Sequence, residues 1–281
     1  MKSNHALSTP VETTLLEDGT FLIHRNRRLS YRLDRCATAA ADNGLAVGCA
    51  YYGLLEMLKR DRVMHDGSTC FGAGYSDLTL QPRGDDSTIA VGSDNADYIH
   101  ETAELLAEGK IVGWFQGGAE FGPRALGNRS ILADPRRREV RDFINLEIKN
   151  REDFRPFAPA VLEEDASIYF DCDYASPYML LVALVRPEWR DLIPSVVHQD
   201  NSARLPTVNE LSNPTFYRLL REFKRITGLG VLLNTSFNKR KMPIVETPQQ
   251  AMDMFTDSAL DVVVLNRQVL SKRSVAREMF A

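Results

Sequence analysis

Five cationic side chains, Arg124, Arg129, Lys149, Arg155 and Arg204, stand where the chain is expected to turn. Arg124 follows Pro123, and Arg155 lies between Phe154 and Pro156, so both are fixed by rigid neighbours. Ser130, Asn234, Ser236 and Asn238 add neutral hydrogen-bonding groups, and Gly117 and Gly118 let backbone N–H groups approach an anion. Arginine forks and a lysine point charge suit phosphate or carboxylate. Two phosphorylated substrates held side by side repel, by roughly 4 kcal/mol for unit charges ~4 Å apart at an effective dielectric of ~20. A cation cluster offsets that repulsion. Phosphoryl chemistry of this kind needs charge stabilisation more than a protein nucleophile, and no Ser–His–Asp arrangement is visible. A purely structural strand–helix corner can use the same glycines and arginines. Arg136, Arg137 and Arg138 read as a solvated helix face, Arg151 as a partner of Glu147, and His198 as a satisfied loop histidine.

These residues must be positioned by an alternation of strands and helices. Asp97 to Gly109 reads as a helix ending at glycine. The apolar strand Lys110 to Phe115 feeds the glycine pair, and Pro123 is placed to start a helix whose positive end faces the anion. Ser130 to Ala133 reads as a short strand. Pro135 to about Asn150 reads as a helix with Val140, Phe143, Ile144 and Ile148 on one face. The proline-rich turn at Arg151–Leu162 leads into a strand, and Tyr178 to Val185 reads as a buried strand. Pro214 to Ile226 is a helix closed by Gly228, and Leu229 to Leu233 is a buried strand. Thr247 caps a helix that Pro248 opens and that reaches Thr256, and Leu260 to Leu265 is the last strand. The pattern is mixed α/β with sites at strand ends.

The first third says less. Thr20 to His24 alternates weakly, as a strand does. A turn and helix fall within Ala37 to Lys59, capped by Asp42 or Asn43, with Leu45, Tyr52 and Leu55 facing a core. Asp66 to Gly74 is a loop, and Pro82 to Ser87 a linker, which sets a boundary between residues 85 and 95.

A chain of 281 residues, 44% hydrophobic, can form one large domain or two small ones. A net charge of -4 gives no basic stripe for nucleic acid. No apolar run could span a bilayer, and Met1 to Pro10 lacks a secretory signal core. Cys36, Cys49, Cys70 and Cys172 are scattered without a CxxC pair, which predicts reduced thiols in a cytoplasmic protein.

The blocks EFGPRALGNRSILADPR, Lys149 through REDFRPFAPAVL, HQDNSARLPTV and LLNTSFN, in that order over roughly residues 95 to 270, resemble the C-terminal, YrdC-like domain of the O-carbamoyltransferases of nodulation-factor and antibiotic tailoring. The resemblance implies a mixed twisted α/β sheet over 89–281 that forms carbamoyl-adenylate from carbamoyl phosphate and ATP, with Mg²⁺. It gives Arg124 and Lys149 the phosphate and carbamoyl oxygens, Arg155 and Arg204 the nucleotide phosphates, and Ser236 the adenylate. Residues 1–88 resemble only the tail of the family's actin-like (ASKHA) domain, which passes the carbamoyl group to a hydroxyl of a small-molecule acceptor. Asp42 matches a metal-ligand aspartate there, of use only if a protein partner supplies the missing half. His5, His24, His65 and His100 do not reproduce the family's metal-binding histidine pair, Met242 stands where the family has Gly-Glu before Pro-Ile, and Asn201-Ser202 replaces Gly-Thr.

Two other functions compete. One is a non-catalytic nucleotide-binding or docking remnant of a split carbamoyltransferase. The other is a YrdC-type RNA-modification enzyme making threonylcarbamoyl-adenylate, against which the acidic balance and the carbamoyltransferase blocks argue. Neither a membrane nor a nucleic-acid partner is expected.

Overall fold

A computed structural model describes residues 12–15, 21–25, 29–32, 44–61, 69–75, 89–94 and 97–272. The first three strands, β1 (Glu12–Leu15), β2 (Phe21–Arg25) and β3 (Leu29–Arg32), make an antiparallel sheet, with β2 at the place the weak alternation marks. Helix α1 (Leu45–Tyr52) runs into a π turn at Gly53–Met57. It has no buried residue, and Leu45 and Tyr52 are two-thirds exposed. The expected core face is therefore not used: apolar residues lie all round this helix, and no described element covers it. Asp42 and Asn43 lie outside the described residues.

The remaining elements begin with β4 (Ile89–Asp94), α2 (Tyr98–Ala107), β5 (Val112–Phe115), β6 (Arg129–Ala133) and α3 (Arg138–Phe143). After a π turn at Ile144–Ile148 come β7 (Ala158–Leu162), α4 (Ala166–Tyr169), β8 (Val182–Leu184), β9 (Ser202–Arg204) and β10 (Thr207–Val208). The chain continues with α5 (Pro214–Thr227), β11 (Val231–Ser236), α6 (Pro248–Thr256), β12 (Val262–Leu265) and β13 (Gln268–Lys272).

Eight strands form one mixed sheet in the order β10-β7-β11-β6-β5-β12-β13-β4. β5, β6 and β12 are buried along their whole length, which is why they read as continuous apolar runs rather than alternating ones. Helix α5 presents Phe216, Leu219, Leu220 and Phe223 inward, packs on β7 and β11, and meets α2 along its side. The register fixes polarity. β5 and β12 are parallel, and β6 lies antiparallel between β5 and β11. β7 opposes β11, and β10 runs parallel to β7. The C-terminal ends of β5, β11 and β12 and the N-terminal starts of β6, β7 and β10 therefore share one edge.

Two expectations change here. Leu260–Leu265 is not the last strand, because the two-residue turn Asn266-Arg267 returns β13 against it, and β13 pairs in turn with β4. Tyr178–Val185 is not a buried strand. Val182–Leu184 pairs with β9 in a separate ribbon, Val185 makes a single bridge to Phe170, and Val182 and Leu184 are about half exposed while Ala183 faces the core.

Thr247 accepts a hydrogen bond from Gln250 N, and the Gln250 side chain accepts from Thr247 N, a reciprocal cap for α6. Thr247→Ala is expected to cost ~1 kcal/mol. Urea denaturation would show it as a lower midpoint at unchanged slope.

Candidate functional site

The loop from Gln116 to Asn128 is built around one carboxylate. Glu120 Oε1 accepts from Leu126 N at 2.6 Å and from Asn128 N at 2.8 Å. Gly127, at φ +103, donates its N–H to Ser130 Oγ at 3.1 Å and gives its carbonyl to Trp114 Nε1 and Gln116 Nε2. The helix expected after Pro123 does not form. Gly122 and Gly127 both hold positive φ, and the N–H groups of Leu126 and Asn128 go to Glu120 rather than to a helix. No helix dipole is aimed at an anion here.

The glycine pair also shapes the packing of this loop. Gly117 is exposed at φ +49. Gly118 makes room for backbone: a Cβ there would lie 2.5 Å from Gly72 O. The stretch 69–75 packs onto this loop, through Gly72 N to Ala119 O at 3.0 Å and Phe121 N to Thr69 O at 2.7 Å. Tyr75 O accepts from Asn266 Nδ2 on the same edge.

Arg129 is fully buried, with its guanidinium 3.6 Å above the Phe115 ring. Its Nη1 donates to the Gln116 and Asn128 carbonyls, and its Nη2 to Gly117 O and, at 3.4 Å, Glu246 O. The residue clamps the loop to β6, so its terminal donors are already engaged by carbonyls rather than presented to an anion.

Lys149 ends the π turn and is 4% exposed. Its Nζ donates to Ser236 O, to Ser236 Oγ at 3.3 Å and to Asn238 Oδ1 at 2.8 Å. Asn238 is held in turn by Nδ2 to Met242 O, and Ser236 Oγ lies 2.7 Å from Asn238 Oδ1. Burial, and then the Arg151 charge, hold the Lys149 ammonium well below the usual lysine range, while the three oxygen acceptors pull the other way. Asn234, two residues inside the end of β11, donates to Ala125 O at 2.9 Å, and its Oδ1 is buried without a partner. Arg124 is adjacent to that contact. Burial, and behind it the Arg204 charge, lower the Arg124 pKa, which places these two guanidinium groups within each other's field. Arg155 is half exposed and pairs with Glu152 at 3.1 Å.

The expected cations therefore come to one edge of the sheet. Arg124 lies in the β5–β6 loop, Lys149 and Arg155 in the segment entering β7, Arg204 just before β10, and Ser236 and Asn238 at the end of β11. Arg129 and Ser130 begin β6 at the same edge. Two readings of neighbouring arginines change. Arg136 is exposed as expected, but it lies before α3 rather than on it, and it pairs with buried Asp134, with Nε at 2.8 Å from Oδ2. Arg151 does not pair with Glu147; its Nε donates to Asn145 Oδ1 at 2.7 Å and it covers the Phe157 ring.

Sequence reasoning passed over Glu120 and Asn145. Asn145 is fully buried and donates to the Asp153 and Arg155 carbonyls, which fixes the loop carrying Arg155. Its signal was an amide beside Ile144 in an otherwise apolar stripe. Glu120 Oε2 is buried without a partner, and burial pushes this carboxyl up against the pull of two backbone N–H groups and Arg129. Folded Glu120 thus keeps its proton to higher pH than the ordinary 4.5. The stability it contributes is complete below that value and is lost as pH rises through the folded pKa. Glu120→Gln is expected to remove that decline. Melting curves of both proteins from pH 4 to 8 would show the difference in Tm moving towards the variant as pH rises, and parallel curves would refute it.

Among the described residues, no group of three or more His, Cys, Asp or Glu could hold a metal ion, and no helix is long and apolar enough to cross a membrane.

Fold and site together define the class: a mixed α/β domain that gathers cations at one sheet edge. Residues 103–272 match the family described as carbamoyltransferase C-terminus, and the chain belongs to that family. An uncharacterized protein of Synechocystis is 40% identical over 261 residues, covering 83% of this chain and 42% of its own length. Nodulation protein NolNO of Sinorhizobium fredii is 44% identical over 185 residues, covering 65% and 27%. A 3'-hydroxymethylcephem-O-carbamoyltransferase of Amycolatopsis lactamdurans is 47% identical over 138 residues, covering 49% and 26%. The chain thus spans less than half the length of these relatives. Among solved structures, full-length HypF in a phosphate- and nucleotide-bound form is similar at a TM-score of 0.43 and 19% identity, over 68% of this chain and 23% of that one.

Proposed function

We propose that this chain forms carbamoyl-adenylate from carbamoyl phosphate and ATP, as part of an O-carbamoyltransferase whose acceptor is a hydroxyl of a small molecule. The reading is supported by the strand polarity, which puts the loops bearing Arg124, Lys149, Arg155 and Arg204 at the same end of the sheet as Ser236 and Asn238. Carbamate, released from carbamoyl phosphate by water, attacks the ATP α-phosphorus through an oxygen. The bond to the β-phosphate oxygen breaks, and pyrophosphate leaves. Arg124 and Lys149 hold carbamoyl and phosphate oxygens, Arg155 and Arg204 hold the departing phosphates, and Asn234 and Ser236 orient the nucleotide. Arg129 acts through the loop that it clamps. These residues fit a nucleotide substrate, whose amino or hydroxyl groups would supply the donor that buried Asn234 Oδ1 lacks. Mg²⁺ arrives with ATP and neutralises the phosphates, held mainly by them and by water.

Transfer onto the hydroxyl belongs, in this reading, to an actin-like half supplied by a partner protein or a further segment, where Asp42 takes its part as metal ligand. The sheet edge itself is of the YrdC-like type, and the protein works in the cytoplasm without a membrane or nucleic-acid partner. A non-catalytic nucleotide-binding remnant is the rival. ATP–pyrophosphate exchange that requires carbamoyl phosphate, together with mass detection of carbamoyl-adenylate, supports the enzyme. A folded, ATP-binding chain without exchange supports the remnant.

A further inference from the structure

We propose a second anion site, in the cavity between α3, the 187–196 stretch and the turn at 198–201, that takes a small oxyanion of the phosphate class. The cavity has a volume of about 240 Å³. Its walls include Arg138, Arg141, Arg190, His198 and Asn201, with Asp191 the one carboxylate among the lining residues. Three arginines thus line one space with Asp191, and Asp142 pairs with Arg141 at 2.9 Å, which leaves positive charge in excess and favours an anion.

The hydrogen bonding leaves donors for it. Arg141 Nε donates to Asp142, and Arg190 Nε to Val185 O at 3.0 Å, so in each the outer Nη fork remains. Arg138 is exposed, and no carboxylate partner pairs with it among the described residues. A forked guanidinium with its terminal N–H groups unused is the group that grips phosphate oxygens in pairs. The walls are held to one another rather than hinged. Ser195 N donates to Pro135 O at 3.2 Å, and Ser195 Oγ to the Arg137 carbonyl, tying the 194–196 turn to the start of α3. Asn201 N donates to His198 O at 3.0 Å, and Ser202 binds Asp200 through both its N–H and its hydroxyl. The site is accordingly preformed, with little ordering to be done on binding.

None of these arginines belongs to the edge that holds Arg124, Lys149, Arg155 and Arg204, so this inference does not rest on the proposed reaction. The two sites do meet at one residue. His198 lines the cavity, and its imidazole also feels the Arg204 charge. An anion in the cavity would therefore stiffen the turn from which β9 carries Arg204 to the first site.

Calorimetric titration of the whole chain with inorganic phosphate, pyrophosphate and glucose 6-phosphate tests the inference. Binding of at least one is expected, weakened tenfold or more in the Arg138→Gln/Arg190→Gln double variant and changed less than twofold in Arg221→Ala, on the exposed face of α5. Preference for the inorganic ions would identify a free ion as the occupant, and preference for the sugar ester a phosphate group on a larger molecule. No binding of any of the three at tens of millimolar, or equal affinity in the double variant and the wild type, would overturn it. A second readout guards against misfolded variants. Burial and the Arg204 charge lower the His198 pKa against the pull of Asp200. Arg138, Arg141, Arg190 and Asp191 surround it from the other walls. The ligand that binds should raise that pKa in an NMR titration of the wild type, and an unmoved His198 would place it elsewhere.

Discussion

Replacing Lys149 by methionine is expected to lower carbamoyl-phosphate-dependent ATP–pyrophosphate exchange by about 10²–10³-fold, the usual cost of removing one preorganised charge-stabilising donor. Methionine keeps the buried stem of the side chain and removes only the ammonium and its bonds to Ser236 and Asn238. Arg124→Ala should fall similarly. Arg221→Ala, on the exposed face of α5 over Tyr217, should stay within twofold. Stability against pH distinguishes a lost charge from a damaged fold. The folded Lys149 pKa lies below the ordinary 10.5, so the unfolded chain binds the extra proton between the two values. Wild-type stability therefore rises with pH across that window and levels off above it. The methionine variant should lack this rise while still melting cooperatively. Undiminished exchange in a folded Lys149→Met protein would end the role assigned to it.

Gly127→Ala is expected to destabilise the fold by ~2–6 kcal/mol, from backbone strain and overpacking together. At φ +103 an L side chain is strained, and its Cβ would fall 2.2 Å from Phe216 Cδ1 and 2.6 Å from Cγ. Phe216 cannot yield easily, since it is fully buried in the first turn of α5. That turn is fixed by Asn213, which caps Phe216 N and bonds Asn128 Oδ1 at 2.9 Å. Gly127 itself is held through both its N–H and its carbonyl. Urea denaturation should show a lower midpoint at unchanged slope, with exchange activity falling too because Arg124 sits in the same loop. Gly48→Ala is the contrast, since nothing lies within 4 Å of a Cβ there and the helix position favours alanine by ~1 kcal/mol. A loss below 1 kcal/mol at Gly127 would show that the loop shifts more freely than this network implies.

Much of the element order was legible because its signals are local. Pro214 marks a helix start by its fixed φ, and Thr247-Pro248 by capping and fixed φ, and α5 and α6 begin there. The corner at Pro123 failed for an equally specific reason: a carboxylate and two positive-φ glycines in the loop outweighed one helix-starting proline. Tyr178–Val185 is apolar enough for a core strand, yet its strand joins β9 in a small ribbon rather than the main sheet, because composition does not say which sheet a strand joins. Arg129 and Arg124 look alike in sequence. One is stacked on Phe115 with its terminal donors on carbonyls, and the other is only partly buried within the field of Arg204.

The sequence by itself determined the family, through blocks that keep their order, and the residue types able to hold phosphate at turns fixed by proline and aromatic neighbours. Only the tertiary structure decided that those turns share an edge. That outcome depends on β11 inserting between β6 and β7 and on β10 returning parallel to β7, pairings between strands far apart in the chain. It also decided that Glu120, Asn145 and Arg129 support the site from beneath while Arg138 and Arg190 face a cavity of their own. Hydrophobic periodicity records which side of an element is buried. It carries no record of which distant element buries it, and the fate of a charge depends on that second fact.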